Sequence, residues 1–134
     1  MSRFASSARL AIGIGLFALV ASIASVPLHA GDLAAARALT VTQCSQCHTF
    51  DKGEKHGQGP NLFGLIGREA AAVPGFVFTD GIKESLKGKK WDVKLLDAWL
   101  TDTIAVAPKA QMIYFQEDPE VRAMLIEFLS SLHD

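Results

Sequence analysis

Five residues concentrate the chemistry of this chain: Cys44-Ser45-Gln46-Cys47-His48. The pattern C-x-x-C-H attaches a c-type haem, and its spacing has a physical reason. Two thiols separated by two residues sit on adjoining turns of backbone and reach the two vinyl groups of one porphyrin. The histidine after the second thiol then falls under the iron as an axial ligand. A C-x-x-C pair can also be half of a zinc site or a redox dithiol. Zinc needs further protein ligands, and beyond residue 30 only His56 and His133 remain as histidines to supply them. Both cysteines of the chain lie in the motif, so no disulfide is open to it.

The elements that must hold this motif are read from periodicity and punctuation. Residues 34–43 are alanine-rich and lack Gly and Pro, which predicts a helix leading straight into the thiols. Glycines at 53, 57, 59, 64 and 67, with Pro60 and Pro74, predict loops. Residues 92–103 read as a second helix, with Asp92 as N-cap and Leu95, Leu96, Trp99 and Leu100 on one apolar side. Residues 106–116 read as a loop broken by Pro108. The last helix has the clearest start signal, Asp118 as N-cap and Pro119 at the first helical position. Val121, Leu125, Phe128 and Leu132 then form a stripe that must be buried. No segment reads as a strand, so the fold class is all-α with long loops. A chain of about 100 residues is near the lower end of what a hydrophobic core supports alone. A covalently held porphyrin would supply the missing apolar bulk.

The N-terminus reads as a targeting segment. Arg3 and Arg9 form a positive region, residues 10–28 carry no charge, and Leu28-His29-Ala30 offers a small residue before a cut. Cleavage after Ala30 divides the chain into a signal peptide, 1–30, and one domain, 31–134; Ser22-Ile23-Ala24 is a second candidate site. The uncharged stretch exceeds a usual signal core of about 7–15 residues and approaches the ~20 that span a bilayer, so an uncleaved anchor is the alternative. The chain holds 13 Lys plus Arg against 14 Asp plus Glu. Losing Arg3 and Arg9 leaves acids in further excess, which gives no electrostatic footprint for nucleic acid.

Over nearly all of residues 31–134 the chain resembles the class I cytochromes c. After the C-x-x-C-H motif, Gly59-Pro60-Asn61-Leu62-Phe63-Gly64-Leu65-Ile66-Gly67-Arg68 is similar to the family's G-P-N-L-x-G-L-x-G-R loop. Gly75-Phe76-Val77-Phe78-Thr79-Asp80 resembles its G-F-x-Y-T-D segment, Trp91 its single buried tryptophan, and Pro108-Lys109-Ala110-Gln111-Met112 its P-G-T-K-M loop. Arg122 and Phe128 fall where its last helix has an arginine and an aromatic. The resemblance implies a fold of three or more helices whose loops wrap one covalently bound haem c, the first and last helices crossing. His48 would be the proximal iron ligand and Met112 the distal one. The Pro60 carbonyl would accept a hydrogen bond from the far nitrogen of His48. Arg68 and Trp91 would hydrogen-bond the inner haem propionate. His56 resembles a histidine that ties two loops together through backbone carbonyls, with a solvated loop residue as the alternative. Met124 reads as core, and Trp99 as core against the haem face.

Four polar groups of the family's haem pocket are replaced here. Phe78 and Trp99 stand for tyrosines, Ile82 for an asparagine and Ala110 for a threonine. Several lysines that ring the haem edge in mitochondrial relatives are replaced by Gln43, Gly57, Ile104, Ala105 and Gln111. Lysines cluster instead at 83, 87, 89, 90 and 94, either as a solvated face or as a displaced docking patch.

An iron with both axial positions filled by protein can do little but exchange electrons. The reading is therefore a one-electron carrier and not an enzyme. It would be a monomer in the periplasm of a bacterium, passing electrons from a donor protein to an acceptor. It would meet the membrane only through respiratory complexes, unless the N-terminal segment is retained. Two other readings compete: a haem enzyme or gas-binding protein with an open distal site, and a membrane-anchored cytochrome subunit of a respiratory complex.

Overall fold

The structure, a computed structural model, describes residues 30–134; the expected targeting segment lies outside the described residues. Five helices follow in order: α1 (Ala30–Cys44), α2 (Asp80–Ser85), α3 (Val93–Thr101), α4 (Thr103–Val106) and α5 (Pro119–Ser131). Among the described residues no strand forms, and only Glu69 with Lys90 and Asp102 with Phe115 make isolated bridges. None of the described helices is long and apolar enough to cross a membrane.

The alanine-rich segment folds as α1, longer at both ends than expected and including Cys44. The helix packs on α5, and α5 packs in turn on α3. Ala36 and Thr40 of α1 are fully buried. The Thr40 hydroxyl tolerates burial because it donates to the Ala36 carbonyl at 2.8 Å. From α5, Leu125, Phe128 and Leu129 are buried, while Val121 and Leu132 pack half-buried against the core. Phe128 also meets Phe50, ring centroids 5.8 Å apart. Asp118 caps α5 by accepting the Glu120 N–H at 2.8 Å, with Pro119 following it as expected. Met124, expected in the core, is half-buried on the same helix.

The helix expected over 92–103 is two helices. Asp92 caps α3, accepting the Leu95 N–H at 2.7 Å, and Leu96, Trp99 and Leu100 are buried. The backbone then leaves helical geometry at Asp102 (φ −161°, ψ 105°). Its carboxylate accepts the N–H groups of Ile104 and Ala105 at 2.9 and 3.2 Å and starts α4. A short carboxylate competes with the helix for backbone donors, and here it wins. Helix α2 was not expected; with six residues and no side-chain cap bond, it is too short to print a period.

The long loops are held by hydrogen bonds. Residues 67–70 run beside 89–91, with Gly67 N–H to the Trp91 carbonyl (2.7 Å), Trp91 N–H to Arg68 (2.9 Å) and Ala70 N–H to Lys89 (2.9 Å). Arg122 fastens α5 to α3: its Nε donates to Asp97 Oδ1 at 2.8 Å, and its Nη1 to the Gln116 and Glu117 carbonyls at 2.9 Å each.

Candidate haem-binding site

The helices and loops enclose a cavity of about 490 Å³, within the range of small-molecule and cofactor sites. Cys44 ends α1, and its carbonyl accepts the N–H groups of Cys47 (3.1 Å) and His48 (2.9 Å). That tight turn brings Cys44, Cys47 and His48 to one side of the cavity, which all three line. Both thiols are free, Cys44 half-buried and Cys47 exposed. Burial, reinforced by the neighbouring Cys47, pushes the Cys44 thiol up to about 11.

The segment 57–60 is moulded onto this turn. The Gly59 N–H donates to the Cys47 carbonyl at 2.8 Å. A Cβ on Gly57 would sit 2.5 Å from that carbonyl oxygen, and one on Gly59 would sit 2.3 Å from His48 Cε1. Such closeness brings the Pro60 carbonyl to 2.7 Å from His48 Nδ1. Nδ1 carries the proton in this bond, so the lone pair is on Nε2. Burial lowers the pKa of His48 below the ordinary imidazole value; the Pro60 bond opposes this and the charge of Arg68 assists it. The result is a neutral, oriented imidazole, the form that binds a metal.

Met112, Arg68 and Trp91 also line the cavity. Met112 packs half-buried against the core. The half-buried Arg68 donates from Nη1 to the carbonyls of Asn61 (3.1 Å) and Phe63 (3.3 Å), and burial lowers its pKa. Trp91 is buried and stands edge-on to Trp99, ring centroids 5.6 Å apart. Phe78, Ile82 and Trp99 belong to the lining, while Ala110 packs half-buried beside Met112 on the core. His56 does tie two loops, but only one bond is to a carbonyl. Its Nε2 donates to Pro74 O at 2.9 Å, and its Nδ1 accepts the Asn61 N–H at 2.9 Å.

These residues fit a covalent haem. Two free thiols and a neutral imidazole face one cavity. Thr79 offers it a buried hydroxyl with no partner among the described residues, a donor still open to an acceptor in the cavity. Eight of the eleven residues in the buried core cluster (Leu62, Leu65, Leu86, Trp91, Leu96, Trp99, Leu100 and Leu129) are also cavity wall.

No protein-family model matches the chain. The chain is similar to cytochrome c of Chlamydomonas reinhardtii, 38% identical over 101 residues that cover 75% of this chain and 88% of that protein. It is 35% identical to cytochrome c of Guizotia abyssinica over 112 residues, 83% and 97% of the two chains. Cytochrome c2 of Rhodomicrobium vannielii is 36% identical over 92 residues, 68% and 72% of the two chains. The chain belongs to the cytochrome c family. As a member of that family it carries haem c on Cys44 and Cys47, transfers electrons with redox partner proteins and is not an enzyme.

Within this cytochrome, sequence reasoning gave no role to three features the structure brings out. Asn61 is a buried junction: its Nδ2 donates to Thr49 Oγ1 (2.8 Å) and Asp51 O (3.1 Å), and its Oδ1 accepts the Phe63 N–H (2.9 Å). Thr79 is the second. The third is the anchorage of the Met112 loop, where the buried Thr103 hydroxyl accepts the Tyr114 N–H at 3.0 Å and donates to its carbonyl at 3.2 Å. The quoted motif contained Asn61, and its polarity amid Leu62 and Phe63 was the available signal. Nothing local pointed to Tyr114.

Proposed function

We propose that His48 and Met112 are the two iron ligands of this carrier, with Pro60, Arg68 and Trp91 completing the group that binds the haem. The observation that carries the reading is the shared cavity. A neutral imidazole anchored on Pro60 and a loop methionine line the same space, and a methionine held in a loop has no helical stripe to fill. When bound, the haem supplies a one-electron ferric/ferrous couple. The chain's own part is to hold the couple still and dry. Pro60 fixes the tautomer and ring orientation of His48. Met112 contributes a soft, neutral thioether that favours ferrous iron. Arg68, kept in place by the Asn61 and Phe63 carbonyls, offers its remaining N–H groups to a haem carboxylate, and Trp91 lies along the same wall.

The same reading makes residues 1–30 an export signal, residues 31–134 the mature monomer, and the periplasm its compartment. The positive region, uncharged stretch and small residue at 30 support this, as does the need to attach haem to reduced thiols after export. It would relay electrons in a respiratory chain, and contact membranes through its partners.

The decisive experiment is optical. Oxidised holoprotein should show the weak methionine-to-iron band at the red edge of the visible spectrum, and reduced holoprotein should resist carbon monoxide at neutral pH. Met112→Ala should abolish the band and admit carbon monoxide, while Met124→Leu should do neither. Rapid binding of carbon monoxide by the wild type would favour an open-site haem protein instead.

A further inference from the structure

Asn61 lines no part of the cavity, yet it sits beside the bond that orients His48. It is buried, and neither it nor Thr49 belongs to the cavity wall. Successive hydrogen bonds join residues 47–49 to residues 59–62. At the two ends, the Gly59 N–H donates to the Cys47 carbonyl at 2.8 Å and the Leu62 N–H to the Thr49 carbonyl at 2.9 Å. Between these outer rungs, His48 Nδ1 donates to Pro60 O at 2.7 Å, and Asn61 Nδ2 donates to Thr49 Oγ1 at 2.8 Å. The two inner rungs join neighbouring residues on both segments, so a change in one spacing passes to the other. The Asn61 amide has one way to sit. Its Nδ2 also donates to Asp51 O at 3.1 Å, and its Oδ1 accepts the Phe63 N–H at 2.9 Å. Turned over, the amide would set oxygen against the Asp51 carbonyl and N–H against the Phe63 N–H. Thr49 is committed too: its hydroxyl donates to Lys55 O at 2.8 Å, which leaves its oxygen to accept from Asn61. Breaking any of these bonds leaves a buried polar group unsatisfied, which is what makes the tie stiff.

We infer that the Asn61 side chain is a positioning residue for electron transfer, holding the His48–Pro60 hydrogen bond short and thereby setting the reduction potential. The inference rests on the reading, proposed above, that His48 ligates iron. Donation from Nδ1 to a carbonyl raises the basicity of the imidazole at Nε2, and a more basic ligand favours ferric iron. Without the Asn61 rung the Pro60 bond lengthens, Nε2 donates less and the ferrous state gains. Simple loosening of the fold acts the other way, because water admitted around the site stabilises the more highly charged ferric state. The sign of the shift therefore separates positioning from softening. The backbone of Asn61 also takes part, its N–H donating to His56 Nδ1 and its carbonyl accepting from Arg68 Nη1. Those bonds survive a change of side chain, so substitution isolates the rung to Thr49 and its neighbours.

Redox titration of the holoprotein tests this with Asn61→Leu, Thr49→Val and a control, Leu125→Ala, which truncates a buried core residue outside the cavity wall. None of the three alters the net charge. At the ambient potential that leaves wild type half reduced, the ferrous-to-ferric ratio should rise at least threefold in Asn61→Leu and at least 1.5-fold in Thr49→Val, about 59 mV being one tenfold step for a one-electron couple. In reduced holoprotein the NMR signal of the His48 Nδ1 proton should move upfield in both, the sense of a weaker hydrogen bond. Leu125→Ala should lower the urea midpoint and leave the ratio and that signal where they are. An unchanged or lowered ratio in either variant, or an equal rise in Leu125→Ala, overturns the proposal. Thr49→Val severs the same rung with a side chain of the same shape, so it decides alone if Asn61→Leu yields no holoprotein. A ferric wild type whose His48 ring protons lack iron-shifted NMR signals overturns the ligand reading itself, a result distinct from an unmoved potential on a ligated His48.

Discussion

The phenol of Tyr114 donates a hydrogen bond to the side-chain carbonyl of Gln43, joining residues 71 positions apart. Gln43 immediately precedes Cys44, and Tyr114 follows Met112 by two residues, so the bond ties the methionine loop to the thiol-bearing end of α1. Thr103 holds the same tyrosine by its backbone. A phenol is protonated at neutral pH in any case, and burial raises its pKa further, so the donor persists. A neutral, part-buried hydrogen bond contributes about 0.5–1.5 kcal/mol. With Met112 as the proposed distal ligand, Tyr114→Phe should therefore let external imidazole displace it from oxidised holoprotein roughly twofold to tenfold faster. Stopped-flow mixing measures this directly, and an unchanged rate would show that Thr103 alone anchors the loop.

Phe128 is buried on α5, with Phe50 beside it. Phe128→Ala removes a large side chain from a packed contact and should cost about 3–5 kcal/mol. Urea unfolding of the holoprotein checks it; a loss below about 1 kcal/mol would mean the ring fills no core.

Arg122 carries three hydrogen bonds on a mostly buried guanidinium, to Asp97, Gln116 and Glu117. Arg122→Leu would keep part of the packing and strip all three. Bonds to a charged group are worth about 1.5–3 kcal/mol, so a loss in that range is expected. Asp97→Asn, which leaves both carbonyl bonds in place, should cost less than half as much in the same unfolding assay.

The pH dependence follows from His48. Its pKa is lowered in the folded state, chiefly by burial, so the unfolded chain takes up this proton more readily. Stability from this group is complete above the ordinary imidazole value of about 6.5 and is lost as pH falls toward the folded value. For the chain before haem is attached, with no iron on Nε2, the urea midpoint should be level between pH 7 and 8 and lower at pH 5, with proton uptake on unfolding. A midpoint that rises on acidification would contradict a neutral, buried His48.

Gly59→Ala tests the mould around that ring. The added Cβ would meet the imidazole at 2.3 Å, so either the ring or the 59–60 backbone must move and the Pro60 bond lengthens. Overpacking of this kind costs about 1–3 kcal/mol. A lowered yield of holoprotein with a shifted haem spectrum is expected, measured against wild type expressed alongside.

How far the sequence disclosed this structure depended on how local each signal was. Helix α5 announced itself because Asp118 and Pro119 act on the next turn alone, and α1 because alanine propensity sums along one segment. The break at Asp102 stayed hidden because a capping carboxylate inside an apolar run looks like an ordinary exposed residue of a continuing helix. The thiol-histidine motif was legible because covalent geometry fixes its spacing. His56 was only half legible: its link between loops was expected, but its acceptance of the Asn61 N–H depends on where residue 61 returns in space. The Tyr114–Gln43 bond was invisible for the same reason, since no periodicity connects a loop tyrosine to a helix end.

Because Leu62, Leu65, Leu86, Trp91, Leu96, Trp99, Leu100 and Leu129 are at once core and cavity wall, the usual routes to a sturdier domain are narrowed for this chain to Ala70, Ala107 and Leu125 of that cluster. Enlarging a core side chain to fill space normally strengthens a small protein. Here the space is where the prosthetic group belongs, so a larger residue at Leu65 or Leu86 would compete with it. Selection on such a protein cannot trade stability against function position by position, because the same eight side chains hold both. Beyond those three positions, improvement is left to the surface, to the helix caps and to ties such as Lys52 with Asp134, which meet at 2.6 Å near the end of the chain.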